Sequence, residues 1–343
     1  QDLVLFLGSG GGSALFEKTL LSEEENRGIT RQLLACGANI VEINTLRKRL
    51  SAVKGGKFAK KCAPAKVFSI VLSDVVGDSL DMIASGPAYP DASTCEQALD
   101  IVQRYNLSLS KDALRLLNVE TPKVLEGVET HITGSVRELC LSAKQTCKEL
   151  GYEPLILTDR LCCEAREAGS FLASIARFHA EDSRSLAFIA GGETIVRLTG
   201  NGLGGRNQEI ALSAALGISG VRDCAVFSVG SDGTDGPTDA AGAVCTGESA
   251  KKLERLGVDV YQTLRDNDSY HALKKIGSLI FTGPTGTNVN DLSCVLVKRS
   301  EAFNEPRLLT TVSNLCQELE LRRYMKRLSL SNSKQLSCRD LPR

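Results

Sequence analysis

The sequence predicts an α/β protein of two domains. Three observations carry this reading. The chain has 343 residues, enough for two separate cores. Apolar runs of strand length recur at 3–7, 67–72, 154–158, 186–190 and 224–229, with stretches of helical spacing between them. Glycine-rich or acidic loops follow several of these runs, where α/β proteins gather the groups that meet ligands.

The composition narrows the function. Hydrophobic residues make up 42% and charged residues 24%, as in a soluble globular protein. Forty-one basic residues balance 41 acidic ones, so no global field favours nucleic acid or an anionic membrane. Tryptophan is absent and aromatics are 5%, which leaves little for base stacking. The 12 cysteines are scattered without a CxxC pair and there are only three histidines, so a zinc site is not expected. The cysteines read as small buried residues in a reducing cytoplasm. No apolar run is long enough to span a bilayer.

Leu3–Leu7 has the length and branching of a buried strand. Gly8-Ser9-Gly10-Gly11-Gly12-Ser13 follows it. Such a turn can present a row of amides to a phosphate or carboxylate, or serve only as a strand–helix connection. Ser22 with Glu25 makes a capping-box pattern. The stretch 44–57 is basic and ends on Gly55-Gly56. It reads as a solvated helix face, or as a place where Arg47 and Lys54 hold phosphate oxygens. The strand at 67–72 runs into Ser73-Asp74-Val75-Val76-Gly77-Asp78. Residues 94–105 and 110–117 read as short helices, and 118–130 has loop composition. Domains of 1–127 and 128–298 follow.

In the second half, Ser135 and Glu138 repeat the capping pattern before a helix that ends near Leu150. Strands at 154–158 and 186–190 enclose a helix carrying Ala165, Ala168, Leu172 and Ala176 on one face. This order predicts a largely parallel sheet, and the alternation at Ile195–Leu198 an added antiparallel strand. A helix at 207–217 leads to the strand 224–229 and the acidic loop 230–239. A last strand pair, 278–281 and 294–297, encloses the loop 282–291. Residues 299–343 carry nine Lys/Arg and five Asp/Glu, a net +4, and read as one loosely attached helix and a disordered end.

Six loops of similar construction, at 8–13, 54–57, 73–78, 202–209, 230–239 and 282–291, suit a small-molecule cleft. A Walker A loop is absent, because Gly55-Gly56-Lys57 is followed by Phe58. A GxGxxG fingerprint is also absent, since Ser13 stands at the third glycine position. Phosphoryl transfer needs cationic clamps, oriented amides and carboxylates for Mg²⁺, and these loops offer all three. Arg47, Lys54 and Arg206 are the clamps; Asp74, Asp232, Asp235 and Asp291 are the carboxylates. His271 reads as a packing histidine.

The segments LFLGSGGGSAL, INTLRKRLSAVKGG, LSDVVGDSLDMIASGP, AGGET, GLGGRNQEIAL, SDGTDGPTDAAGA, NDSYHAL and TGPTGTNVNDL resemble, in order, those of the class II glycerate kinases of the MOFRL type, over residues 1 to about 298. The resemblance implies a Rossmann-like first domain, a second mixed α/β domain and a cleft between them. It implies phosphorylation of D-glycerate by ATP with Mg²⁺, typically to 2-phosphoglycerate. Some members carry the name hydroxypyruvate reductase, so an NAD(P)H-dependent reductase is the alternative, with a non-catalytic remnant as a third. On this resemblance Ser9, Gly10, Gly11, Gly12, Ser13, Thr285, Thr287 and Asn288 lie at the nucleotide. Asn44, Arg47, Glu193 and Asn207 meet the substrate. Lys54, Arg206, Asp74 and Asp232 act in catalysis, and Asp74 and Asp235 hold the metal. A homodimer is one assembly open to it. The family carries a further N-terminal segment with an active-site lysine, so a chain lacking the start of its first domain is expected, with an open sheet edge. The tail after 298 has no counterpart in the resemblance.

Overall fold

A computed structural model describes residues 2–9, 12–73 and 80–298. The chain divides into two compact units, 1–135 and 136–343. The expected loop and helix in Asp74–Asp78 and 299–343, with Gly10 and Gly11, lie outside the described residues.

The first unit carries β1 (Leu3–Gly8), β2 (Lys66–Leu72) and β3 (Val128–Gly134) in a parallel sheet of order β1-β2-β3. Leu5 lies opposite Phe68, and Phe68 opposite Glu129. Because β3 pairs with β2, this unit extends to Ser135 and not to residue 127. Loop composition at 118–130 hid the start of β3. In β1 Leu3, Leu5 and Leu7 share one face and are exposed.

Between the strands run α1 (Gly12–Leu15), α2 (Glu23–Ala35), α3 (Ile40–Leu50), α4 (Lys57–Cys62), α5 (Cys95–Arg104) and α6 (Lys111–Leu117). Their starts follow from local chemistry. Ser22 accepts from Glu25 N, Asn39 and Glu42 cap α3 reciprocally, Thr94 and Gln97 do so for α5, and Ser110 accepts from Ala113 N. Their apolar faces meet in one core of Ile29, Leu33, Leu46, Leu50, Ala98, Ile101, Ala113 and Leu117. This packing fixes α3, the helix that carries Asn44, Arg47 and the approach to Lys54.

The second unit opens with α7 (Val136–Glu149), β4 (Glu153–Leu161), α8 (Ala165–Phe178) and β5 (Leu186–Gly192). Then come α9 (Arg206–Gly217), β6 (Cys224–Gly230), β7 (Gly242–Thr246), α10 (Ser249–Arg255), α11 (Val260–Arg265), α12 (Ser269–Lys275), β8 (Leu279–Ile280) and β9 (Asp291–Val297). The sheet order is β4-β5-β9-β6-β7-β8. Only β4 and β5 pair in parallel; β9 enters antiparallel between β5 and β6, and β7 and β8 follow antiparallel. The expectation of a largely parallel sheet is corrected here. A last strand inserted between two parallel ones cannot be read from the order of elements. Ile195–Leu198 adds no strand, only a parallel bridge from Ile195 to Glu164.

Every residue of β5, β6, β7 and β9 is buried, which accounts for their unbroken apolar runs. One core joins α8 and α9 to the sheet through Leu172, Ile210, Phe188, Val226 and Val295. Another joins α9 to α10, α11 and α12 through Leu212, Leu253, Leu264 and Leu273. Helix α9 is therefore wrapped on several sides, and its first turn is held rigidly. Among the described residues no helix is long and apolar enough to cross a membrane.

Candidate functional site

In the first unit the chain gathers polar groups around the turn after β1. Ser9 O accepts from Gly12 N at 3.1 Å, closing the turn into α1. Arg47, from α3, donates through Nη2 to Ser13 O at 2.9 Å and through Nη1 to Ser13 Oγ at 3.4 Å. Lys54 Nζ donates to Ser13 O at 2.7 Å, to Phe16 O at 3.2 Å and to Ala84 O at 3.4 Å, and pairs with Glu17 at 3.7 Å. Burial lowers the Lys54 pKa to about 8, although Glu17 opposes this. Ser13, Asn44, Arg47 and Lys54, singled out from two separate stretches, thus come together. Lys54 is fully buried and organises the turn from below.

The rest of the basic stretch does something that neither sequence reading anticipated. Lys48 and Arg49 are both buried. Lys48 Nζ lies 3.1 Å from Asp91 Oδ1 and 2.9 Å from Asp81 Oδ2; Arg49 Nη1 lies 3.7 Å from Asp91 Oδ2. Burial works against the Asp91 charge, but the Thr121 hydroxyl and Lys48 hold its carboxyl below the usual range. These cations are neither a solvated face nor a phosphate clamp. They anchor the loop that carries Asp91.

In the second unit the ends of β5 and β6 and the start of β9 lie side by side, because Gly192 and Gly230 both sit opposite Asp291. The first turn of α9 arrives at the same place. Arg206 Nε lies 2.5 Å from Asp291 Oδ2 and Nη2 lies 3.1 Å from Oδ1, while Nη1 lies 3.4 Å from Glu193 Oε1. Burial works against the Arg206 charge, but Asp291 and Glu193 outweigh it and hold the guanidinium above its ordinary pKa. Burial raises Asp291, against the pull of Arg206.

Asp235 acts as the cap of α9 from a distant loop. Its Oδ1 accepts from Asn207 N at 3.1 Å and from Asn207 Nδ2 at 3.2 Å; its Oδ2 accepts from Gln208 N at 2.9 Å. The cap residue by sequence, Gly205, offers no side chain. A Cβ there would lie 2.2 Å from Asp235 Cγ, so only glycine admits the carboxylate. Burial pushes Asp235 up to about 6, although these N–H donors oppose it. Asn207, expected at the substrate, has both ends of its amide engaged internally: Nδ2 on Asp235, and Oδ1 accepting from Ser228 Oγ at 2.5 Å.

Asp232 stands on the same loop, partly buried, with Oδ1 accepting from Thr234 N at 2.9 Å. The loop 282–291 is stitched onto it. Thr285 N donates to Asp232 O at 3.1 Å and Thr285 Oγ1 to Ser231 O at 2.6 Å. Thr287 N donates to Thr285 Oγ1 and Asn290 N to Asn288 Oδ1. Thr285 and Asn288 therefore brace this loop from within. Among the described residues no group of three or more His, Cys, Asp or Glu is arranged to hold a metal ion. His271 pairs with Asp268 at 2.6 Å on the surface of α12, so it is no core packing residue.

Asp74, the expected catalytic and metal carboxylate, lies outside the described residues. Two residues gain weight from the geometry. Asp291 was one carboxylate among several in the sequence, and its signal was a charge at the head of an otherwise apolar strand. Ser85 was read only as part of a Ser-Gly-Pro turn.

Residues 1–118 match the family described as a domain of unknown function, DUF4147, and residues 186–291 match the MOFRL family. The D-glycerate 2-kinase of Thermotoga maritima is 54% identical over 303 residues, covering 87% of this chain and 73% of that protein. The solved structure of glycerate kinase from the same organism covers the same shares with a TM-score of 0.83. A solved Pyrococcus horikoshii protein is 42% identical, covers 87% of this chain and 72% of its own, and gives a TM-score of 0.77. With 54% and 42% identity to these relatives over most of both chains and a MOFRL match at 186–291, the chain belongs to the MOFRL-type glycerate 2-kinase family.

Proposed function

We propose that this protein transfers the terminal phosphoryl group of ATP, carried with Mg²⁺, to D-glycerate, giving 2-phosphoglycerate and ADP. The observation that carries the reading is the 54% identity to a D-glycerate 2-kinase over most of both chains. The chemistry of the two clusters supports it. Phosphoryl transfer asks a protein mainly for positioning and for cationic stabilisation of the equatorial oxygens. Arg206 suits the second task. Asp291 holds two of its N–H groups and Glu193 lies 3.4 Å from Nη1, so the plane of the guanidinium is fixed while its side chain stays partly exposed.

In the first unit, Ser13, Asn44 and Arg47 form the polar group suited to a small hydroxy acid, with Lys54 holding the turn in place. Mg²⁺ enters with the nucleotide, and such ions use one or two carboxylates beside the phosphates. Asp232 fits that part. Asp235 is instead committed to capping α9, with Oδ1 accepting from Asn207 N and Oδ2 from Gln208 N. When bound, the ion supplies charge neutralisation at the phosphates.

The test is a coupled assay of ADP release with D-glycerate, the product being assigned by phosphorus resonance. Turnover with D-glycerate and a 2-phosphate product is the expected result. No ADP release with D-glycerate or with related hydroxy acids overturns the reading.

A further inference from the structure

The segment Ala84-Ser85-Gly86 has positive φ at three consecutive residues, 50°, 61° and 64°. Two of these are not glycine, so the backbone is held in a conformation that L-residues avoid. At Gly86 a Cβ would also lie 2.9 Å from Asp81 O. Such strain persists only where the surroundings over-determine it. Here they do. The two left-handed glycines of the opposing turn clasp the segment: Gly55 N donates to Ser85 O at 3.0 Å and Gly56 N to Gly86 O at 2.7 Å. Lys54 Nζ reaches Ala84 O from the side.

The result of this clasp is the placement of one hydroxyl. Ser85 is fully buried, and its Oγ donates to Asn44 Oδ1 at 3.1 Å. The Ser85 and Ser13 hydroxyl oxygens lie 3.0 Å apart. A serine has one hydroxyl proton, and Ser85 spends it on Asn44. The bond between the two serines must therefore use the Ser13 proton. Arg47 Nη1, at 3.4 Å, is a third group that can only donate to Ser13. The hydrogen bonds run in one direction: Arg47 to Ser13, Ser13 to Ser85, Ser85 to Asn44.

We propose that Ser85 is a positioning residue of the substrate site, which takes the Ser13 proton so that half-buried Ser13 meets its ligand as a hydrogen-bond acceptor. An acceptor suits the hydroxyl group of a hydroxy acid. It does not suit a phosphate oxygen, which needs a donor. Ser13 therefore belongs with the hydroxy acid and not with the nucleotide. This rests on the reading of D-glycerate as the acceptor substrate.

The experiment compares the wild type with Ser85→Ala, Ser85→Gly, Ser13→Ala and the Ser13→Ala/Ser85→Ala double variant. KM is measured for D-glycerate and for ATP, and D-glycerate binding is followed by calorimetry. Both Ser85 variants are expected to weaken D-glycerate about tenfold and to leave the KM for ATP unchanged. In the Ser13→Ala background the Ser85→Ala change is expected to add little. Ser85→Gly removes the hydroxyl while relieving the strained backbone, so it keeps the question open to measurement if Ser85→Ala folds poorly. Equal loss for ATP and D-glycerate, unchanged D-glycerate affinity, or additive effects of the two serines overturn the proposal. Wild-type binding of D-glycerate without turnover would sink the kinase reading and leave the Ser85 comparison readable by calorimetry. Absence of any D-glycerate binding to the wild type overturns both.

Discussion

Arg206 and Asp291 meet edge to edge, with Nε 2.5 Å from Oδ2 and Nη2 3.1 Å from Oδ1, although 85 residues separate them in the chain. A paired fork of this kind fixes the plane of the guanidinium as well as its charge. Asp291 opens β9, at the point where that strand passes between β5 and β6.

Arg206→Ala is expected to lower kcat by about 100-fold or more with a smaller change in KM, because the role proposed for it puts the guanidinium where charge develops. Arg206→Lys is expected to behave nearly as badly, since an ammonium cannot reproduce the fork. Asp291→Asn should lower kcat while D-glycerate binding persists. Steady-state kinetics check this, and a change confined to KM would make Arg206 a binding residue only.

Asp235 gives a pH signature. Its carboxyl rises from 3.8 to about 6 on folding, chiefly by burial. The folded state therefore holds a proton that the unfolded state has released between those values, and stability falls as pH rises through that window. The displacement corresponds to roughly 3 kcal/mol. Thermal melts of the wild type and Asp235→Asn from pH 4 to pH 7 should show the wild type losing ground to the variant as pH rises. A constant difference would contradict the burial cost.

Lys54 supports three carbonyls and Glu17 from a fully buried position. Lys54→Met leaves those acceptors without a donor, at about 1–3 kcal/mol each before relaxation. Lower urea midpoints by circular dichroism are expected, together with loss of D-glycerate binding. Its pKa near 8 adds a second readout. Above pH 8 the folded state releases a proton that the unfolded state keeps up to 10.5, so the cost of burying this charge declines with rising pH. The gap between wild type and Lys54→Met should therefore widen from pH 8 to pH 10.

Asp91 is the common partner of Lys48 and Arg49. Asp91→Ala removes the one carboxylate that both buried cations share, leaving Lys48 with Asp81 and Arg49 with Glu120, and is expected to cost about 3 kcal/mol. Urea unfolding followed by circular dichroism measures it. A loss under 1 kcal/mol would show that the cations find other partners.

Much of the architecture was legible because it is local. Ser22, Thr94 and Ser110 cap their helices through bonds three residues long, and such bonds need no knowledge of the fold. The buried strands β5 and β6 announced themselves by nearly continuous apolar runs. The short helices α10 and α11 and strand β7 escaped notice because each is only five to seven residues long, too short for a period to show. The candidate site was half legible. Ser13, Arg47 and Lys54 were singled out for their chemistry, but Lys48 and Arg49 between them have the same chemistry and a different fate. The partner separates the two cases, because Arg47 and Lys54 donate to Ser13 O while Lys48 and Arg49 pair with Asp91, and that depends on where Asp91 lies.

The sequence by itself determined the two-part α/β plan, the glycine turn after β1, the basic helix, the acidic loop and the resemblance that joins them. These are properties of residue type, spacing and order. Only the tertiary structure decided that Asp235 caps α9 across 28 residues, that Asp291 holds Arg206, that β9 inserts antiparallel, and that the Ser85 and Ser13 hydroxyls meet. The physical reason is the same in each case. A hydrogen bond or ion pair between distant residues depends on how the chain closes on itself, and that closure is set by the packing of whole helices and strands.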